Sequence, residues 1–273
     1  MRLFVFGLGY AARAIADAAG APLLATTRDG RDGTIRFGDE GAVRAGIAAS
    51  THVLSSVPPD EDGDPVLRHY GDALTGRWLG YLSSTGVYGD ASGGWVDEHA
   101  PADRGRRPQR NAADAGWRAA GASVFRLPGI YGPGRSPLDR VAAGEAHRTG
   151  VAGQVFSRVH VADLAQGVVA AFDAPCDVYN LADDLPASQD AVVEEAARLL
   201  NLPPPPVVPV EELSPAARGF HAENRRVANG RAKRVLAWRL RYPDYRAGLR
   251  ALSATTSPIA ASAAPAPASG VQR

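Results

Sequence analysis

The sequence predicts an α/β protein with a doubly wound, predominantly parallel sheet and a small C-terminal lobe, on three observations. The chain opens with a short apolar run, Leu3-Phe4-Val5-Phe6, broken by Gly7-Leu8-Gly9 and followed from Tyr10 to Ala19 by alanine-rich sequence without glycine or proline, so a strand turns directly into a helix. Further short apolar runs recur at residues 22–27, 52–57 and 79–84, each ending in polar residues or proline. Finally, 273 residues with a hydrophobic fraction of 45% can fill one large core or two interlocked ones.

Composition narrows the function classes. The formal net charge is +1, from nearly equal acids and bases, which predicts no surface for nucleic acid or anionic lipid. Lys233 is the single lysine and Cys176 the single cysteine, so an intrachain disulfide and a cysteine-based metal site are excluded and Cys176 reads as a buried or incidental thiol. No histidine spacing makes a metal site. Met1 leads straight into the first strand and no apolar run is long enough to cross a membrane, so a cytoplasmic protein without leader or membrane partner is expected.

Taken in order, the first turn carries a specific chemistry. Gly7 permits a tight bend, Gly9 lets a pyrophosphate approach the N–H groups at the start of the helix, and Ala12 is the third small residue, which allows close helix packing. The pattern is Gly-x-Gly-x-x-Ala, and Gly7, Leu8, Gly9, Tyr10 and Ala12 are the expected dinucleotide turn. The second strand, residues 22–27, ends at Thr27 and Arg28. An acid there would accept hydrogen bonds from a ribose 2′-OH, whereas Arg28, with Arg31 nearby, can pair with a 2′-phosphate, which points to NADP with NAD as the alternative. A short third strand, residues 34–37, runs to Asp39, placed to approach the adenine. The fourth, residues 52–57, brings Ser55, Ser56 and Val57 to the cofactor cleft. Asp60, Glu61, Asp62 and Asp64 read as a solvated connection.

The run at residues 79–90 ends in Ser83-Ser84-Thr85, then Val87-Tyr88-Gly89. With it the chain resembles the extended and atypical short-chain dehydrogenase/reductases, the epimerase/dehydratase-like proteins, whose motif is Ser-Ser/Thr-x-x-Val-Tyr-Gly. Three later segments are similar in the same order: Arg126 followed by Ile130-Tyr131-Gly132-Pro133-Gly134, then Arg158-Val159-His160-Val161 with Asp163, then Tyr179-Asn180. The resemblance spans about residues 1–185. It implies a Rossmann-type fold, a nicotinamide dinucleotide, a small carbonyl or sugar-like substrate, a monomer or homodimer, Ser84 as the catalytic serine that orients the reacting oxygen, and Ser83 as a neighbour on the cofactor side. Leu213-Ser214-Pro215, Trp238 and the segment from Arg241 are similar to the atypical branch, whose substrates the resemblance does not name.

One part of the family pattern is missing. Its Tyr-x-x-x-Lys pair follows the serine by about 25 residues, the lysine lowering the tyrosine pKa so that the tyrosine can move a proton. Residues 104–115 contain neither. Arg106 or Arg110 can bind a ribose or an anionic substrate, but guanidinium does not release a proton in the working range. Tyr131, with Arg135 four residues on, is the remaining catalytic candidate, and His160 is expected to be satisfied by local hydrogen bonds. Two functions stand: an oxidoreductase or epimerase/dehydratase of atypical chemistry, or a non-catalytic NADP(H)-binding redox sensor or scaffold.

The expected organisation is a dinucleotide-binding domain over residues 1–127 and a substrate-facing lobe over residues 128–252, of which about 158–182 return to the sheet. Residues 191–200 read as a helix ended by a stiff run of prolines. The arginines of residues 220–236 read as a solvated basic helix, with reach to a phosphate-bearing substrate as the alternative. From residue 253 the chain is mostly Ala, Ser, Pro and Thr, and disorder is expected to the end at residue 273.

Overall fold

Short apolar strands separated by helices wind into one sheet, as the sequence pattern requires. The computed structural model describes residues 1–255. The first half runs β1 (Leu3–Phe6), α1 (Tyr10–Ala19), β2 (Leu23–Thr27), β3 (Ile35–Arg36), α2 (Glu40–Ala48), β4 (His52–Ser55), α3 (Pro65–Tyr70), β5 (Trp78–Ser84), β6 (Trp95–Val96), α4 (Pro108–Ala119) and β7 (Ser123–Leu127). The second runs β8 (Gly129–Tyr131), α5 (Pro137–Ala142), β9 (Arg158–His160), α6 (Val161–Ala170), β10 (Val178–Asn180), α7 (Gln189–Leu199), α8 (Pro215–His221), β11 (Arg226–Val227), α9 (Gly230–Val235) and α10 (Tyr245–Thr255).

Seven strands form the main sheet in the order β10-β7-β5-β4-β1-β2-β3, every pairing parallel. The chain adds strands outward from β1 in one direction, then starts again at β4 in the other. That reversal opens a crevice beyond the strand ends between β1 and β4, where parallel sheets of this kind bind ligands. The strand period of two explains why β1 is wholly apolar: Leu3 and Val5 face α1 and α6, while Phe4 and Phe6 face α2, α3 and α4.

The chain leaves the sheet at β8, and β8 pairs with β9 in a separate ribbon, Tyr131 opposite His160. It then returns, α6 lying against α1 and β10 extending the sheet beside β7. The lobe has its own core, in which Leu138, Val192, Val193, Tyr245 and Leu249 meet. It also draws on the first half of the chain, because β6 pairs with β11 and so ties residue 95 to residue 226.

Several expectations are corrected here. Asp64 is not solvated: it is buried, accepts from the N–H groups of Val66 and Leu67 at 2.9 Å each, and takes the indole N–H of Trp117 at 2.9 Å. Cys176 is exposed. Residues 253–255, expected to be disordered, complete α10; the rest of that expected tail, residues 256–273, lies outside the described residues. Among the described residues no helix is long and apolar enough to cross a membrane.

Candidate functional site

The crevice at the reversal is built by the Gly7–Gly9 turn. Gly7 has φ +79°, a backbone conformation that costs any residue with a Cβ, and a Cβ there would also meet Ser56 Oγ and Val57 Cγ2 at 3.1 Å each. Ser56 Oγ donates to the Gly7 carbonyl, which locks the turn to the end of β4. Gly9 differs: its φ is −86°, and a Cβ would meet nothing within 4 Å. Gly9 is the N-cap of α1 and supplies no side-chain cap, so the N–H groups of the first helical turn are left for a ligand.

A cavity of about 710 Å³ extends from this turn to the ends of β2 and β3, lined by Gly7, Leu8, Gly9, Ser56 and Val57 and, at its far end, by Arg28, Arg31 and Arg36. Arg31 is 3.7 Å from Asp29, whereas Arg28 and Arg36 have no acid partner among the described residues. Thr27 lines the cavity, but its hydroxyl accepts from the N–H groups of Gly30 and Arg31 and so shapes the arginine turn.

Five of the expected cofactor residues, Tyr10, Ala12, Asp39, Ser55 and Ser83, do not line this cavity. Asp39 caps α2, accepting from Ala42 N at 3.0 Å, while its neighbours Phe37 and Gly38 line the cavity. Ser55 is fully buried within the sheet and its hydroxyl has no partner. Ala12 is buried in the core against which α6 packs. Tyr10 donates to the Pro133 carbonyl at 3.1 Å and joins α1 to the loop after β8. Arg36, Phe37 and Gly38 were not anticipated, although they continue the strand that pointed at Asp39.

Ser84 stands half-buried at the end of β5, and its Oγ accepts from Gly86 N at 3.1 Å, which caps the turn that follows. Ser83, expected on the cofactor side, is buried with its hydroxyl already engaged. Its hydroxyl donates to Asp114 at 2.7 Å inside a closed network: Arg126 meets the same carboxylate through Nε and Nη2 at 3.0 and 2.8 Å and donates through Nη1 to the Tyr88 hydroxyl, which donates to Asn180 Oδ1. Arg126 and Asp114 are each 1% exposed. Burial pushes the Tyr88 hydroxyl above its ordinary pKa, the Arg126 guanidinium opposing.

The segment that lacks the Tyr-x-x-x-Lys pair is brought to Ser84 all the same. Gly105 N donates to the Val87 carbonyl at 3.0 Å, and a Cβ on Gly105 would collide with the Gly86 carbonyl, so the arginine segment lies flat on the Ser84 turn. Asn111 Nδ2 ties the start of α4 to the carbonyls of Asp103 and Gly105 at 3.0 Å each. The result is a cavity of about 230 Å³ lined by Ser84, Arg106, Arg107, Arg110 and Asn111, and closed by Phe220, Glu223 and Arg225. Glu223 accepts from Arg106 at 3.1 Å and from Arg225 at 2.8 Å. Phe220 stacks on Phe156, ring centroids 4.7 Å apart, beside an adjoining cavity of about 160 Å³ that shares Ser84 and Phe220. The reading of residues 220–236 as a solvated helix is therefore replaced: its start walls the cavity.

Tyr131 is not brought to Ser84. It sits in the lobe core with its ring edge-on to His160, its hydroxyl unpartnered, and a Cβ on Gly248 would collide with that ring. Burial, with Asp183 and Asp163 adding, pushes its hydroxyl above the ordinary range, so it holds its proton more tightly than a free tyrosine. His160 is only half satisfied, against the expectation: Nδ1 accepts from Ala162 N at 3.2 Å, while Nε2 is buried without a partner. Burial, with Arg241 adding, lowers its pKa to about 4.

Nearby, Asp183 is buried, and burial, opposed by Arg158 and by the backbone N–H of Leu185, raises its pKa to about 8. An unfolded carboxyl titrates near ~4, so between the two values the folded chain binds more protons than the unfolded one and stability falls as pH rises. His160 acts with the opposite sign only below its unfolded value of ~6.5. A net fall in melting temperature is thus expected from about pH 6.5 to 8, flattened by Asp183→Asn. An equal fall in both proteins would remove Asp183 as its source.

No family model matches the chain. A solved structure from Silicibacter pomeroyi DSS, described as a functionally unknown conserved protein, is similar with 41% identity and a TM-score of 0.82 over 93% of this chain and 98% of that one. The human epimerase family protein SDR39U1 (isoform 2), solved with NADPH, has 16% identity and a TM-score of 0.74 over 94% of this chain and 100% of that one, a likeness of fold. At 41% identity over nearly the whole of both chains, this chain belongs to the same family as the Silicibacter protein, and with SDR39U1 it shares the Rossmann-type α/β fold. A curated Streptomyces relative, 3-diazoavenalumate denitrifying reductase, is 31% identical over 138 residues, 46% of this chain and 45% of that protein, so the match spans less than half of either.

Proposed function

We propose that the chain is an NADP(H)-dependent oxidoreductase of atypical chemistry, acting on a small molecule bound beside Ser84. The observation that carries this reading is the single crevice edge that holds, in order, the arginine-rimmed end of β2 and β3, the uncapped first turn of α1 and the Ser84 turn of β5. The dinucleotide, when bound, supplies a hydride. The N–H groups of the first turn of α1 take its pyrophosphate, and Arg28 and Arg36 take a 2′-phosphate through charge-assisted hydrogen bonds. Ser84 orients the substrate atom that accepts hydride. No lining residue of the Ser84 cavities is a tyrosine, lysine or histidine. The reading therefore favours an acceptor that needs no proton from the protein; the Streptomyces relative, named as a reductase of a diazo compound, is consistent with that.

Fluorescence titration with NADPH and NADH tests the cofactor half. NADPH is expected to bind more tightly, and Arg28→Asp to lose about tenfold or more of that preference, the worth of one charged hydrogen bond. Absence of binding by either dinucleotide overturns the reading. Binding without turnover of any substrate in a broad carbonyl, sugar-nucleotide and diazo panel, together with different affinities for NADP+ and NADPH, favours the redox sensor instead.

A further inference from the structure

We propose that the cavity beside Ser84 recognises the carboxylate of a small aromatic acid, held by Arg107 and Arg110 at one end and by the Phe220 ring at the other. The inference deepens the oxidoreductase reading by naming a substrate class, and rests on it for the chemistry but not for the binding. Four arginines and one glutamate line the cavity, which leaves three positive charges. The pairing within it is uneven. Glu223 already takes both Arg106 and Arg225, and Arg225 also donates to the Gly89 carbonyl at 2.7 Å. Arg107 and Arg110 have no carboxylate partner among the described residues, yet they are held beside Ser84 by the Gly105 contact and the Asn111 hydrogen bonds. Arg107 is exposed and Arg110 half-buried, and such an uncompensated guanidinium pair at the cavity wall is matched by an anion with two acceptor oxygens.

The opposite wall selects for a ring. Phe220 is 51% exposed, stacks on Phe156 and lines both cavities, so a planar group that covers it buries apolar area that is otherwise left in water. The cavity of about 230 Å³, with an adjoining 160 Å³, has room for one ring and a short arm.

The test is calorimetric titration of the whole chain, with and without saturating NADP+, using cinnamate, its neutral amide, cyclohexanecarboxylate, inorganic phosphate and UDP-glucose as probes. Cinnamate is expected to bind at least tenfold more tightly than the amide and more tightly than the non-planar acid, as the charged hydrogen bonds and the ring contact require. Arg110→Gln and Arg107→Gln are each expected to weaken cinnamate about tenfold, Arg110→Lys less, and Phe220→Ala several-fold, with NADP+ affinity unchanged in all four. Equal binding of acid and amide, or insensitivity to the arginine variants, overturns the proposal. Tighter binding of phosphate or UDP-glucose overturns it in favour of a phosphoryl ligand. If NADP+ fails to bind but cinnamate binds as expected, the cofactor reading falls and this one stands.

Discussion

Gly9→Val is expected to abolish measurable NADPH binding, a loss of about 100-fold or more, while shifting folding stability by no more than about 1 kcal/mol. The asymmetry follows from the two glycines of the turn. At Gly9 the backbone is in a region valine adopts readily, and its side chain would stand in open cavity, where it keeps the pyrophosphate from the N–H groups of α1. The stability cost is limited to the preference for glycine over valine at an N-cap, about 1 kcal/mol. Gly7→Val is the contrast: a positive φ costs about 1–2 kcal/mol and the contacts with Ser56 and Val57 add to it, so that variant should lose stability and binding together. Thermal melts and NADPH titrations on both separate the roles. A Gly9→Val protein with unchanged NADPH affinity sinks the assignment of the crevice.

Asp114→Ala is expected to cost about 3–5 kcal/mol, the largest stability effect of any exposed or buried polar substitution considered. The variant leaves Arg126 charged, buried and held only by the Tyr88 hydroxyl, and strips Ser83 of its acceptor. Against a total of about 5–15 kcal/mol for a domain, that is a large fraction. Arg126→Met combined with Asp114→Ala should recover much of the loss, because the penalty lies in the unpaired charge more than in the missing attraction. Urea denaturation measures both. A single variant that loses less than about 1 kcal/mol would falsify the network's place in the core.

The fold was legible because its signals are local. A wholly apolar β1, a glycine turn and an alanine-rich α1 announce a buried parallel strand followed by a helix, and the motif order along the chain does the rest. The far end of the cofactor crevice was half legible: Arg28 was found, while Arg36 was hidden because a two-residue strand carries too little periodicity to say which side chains face the crevice. Ser83 and Tyr131 misled for one reason. Sequence shows a hydroxyl beside a motif but not its burial, and the partner that claims Ser83, Asp114, lies 31 positions away. The Ser84 cavity was least legible. The arginines of residues 104–110 were seen as a replacement for a missing pair, but Phe156, Phe220, Glu223 and Arg225 reach them only through tertiary contacts.

The bond between Arg106 and Glu223 spans 117 positions. All seven strands of the main sheet are complete by Asn180, whereas Phe220, Glu223 and Arg225 follow about forty residues later. During synthesis the chain can therefore close the crevice between β1 and β4 before the far wall of the Ser84 cavity has left the ribosome. The two cavities are completed in sequence, and the last third of the chain supplies the wall that closes the second.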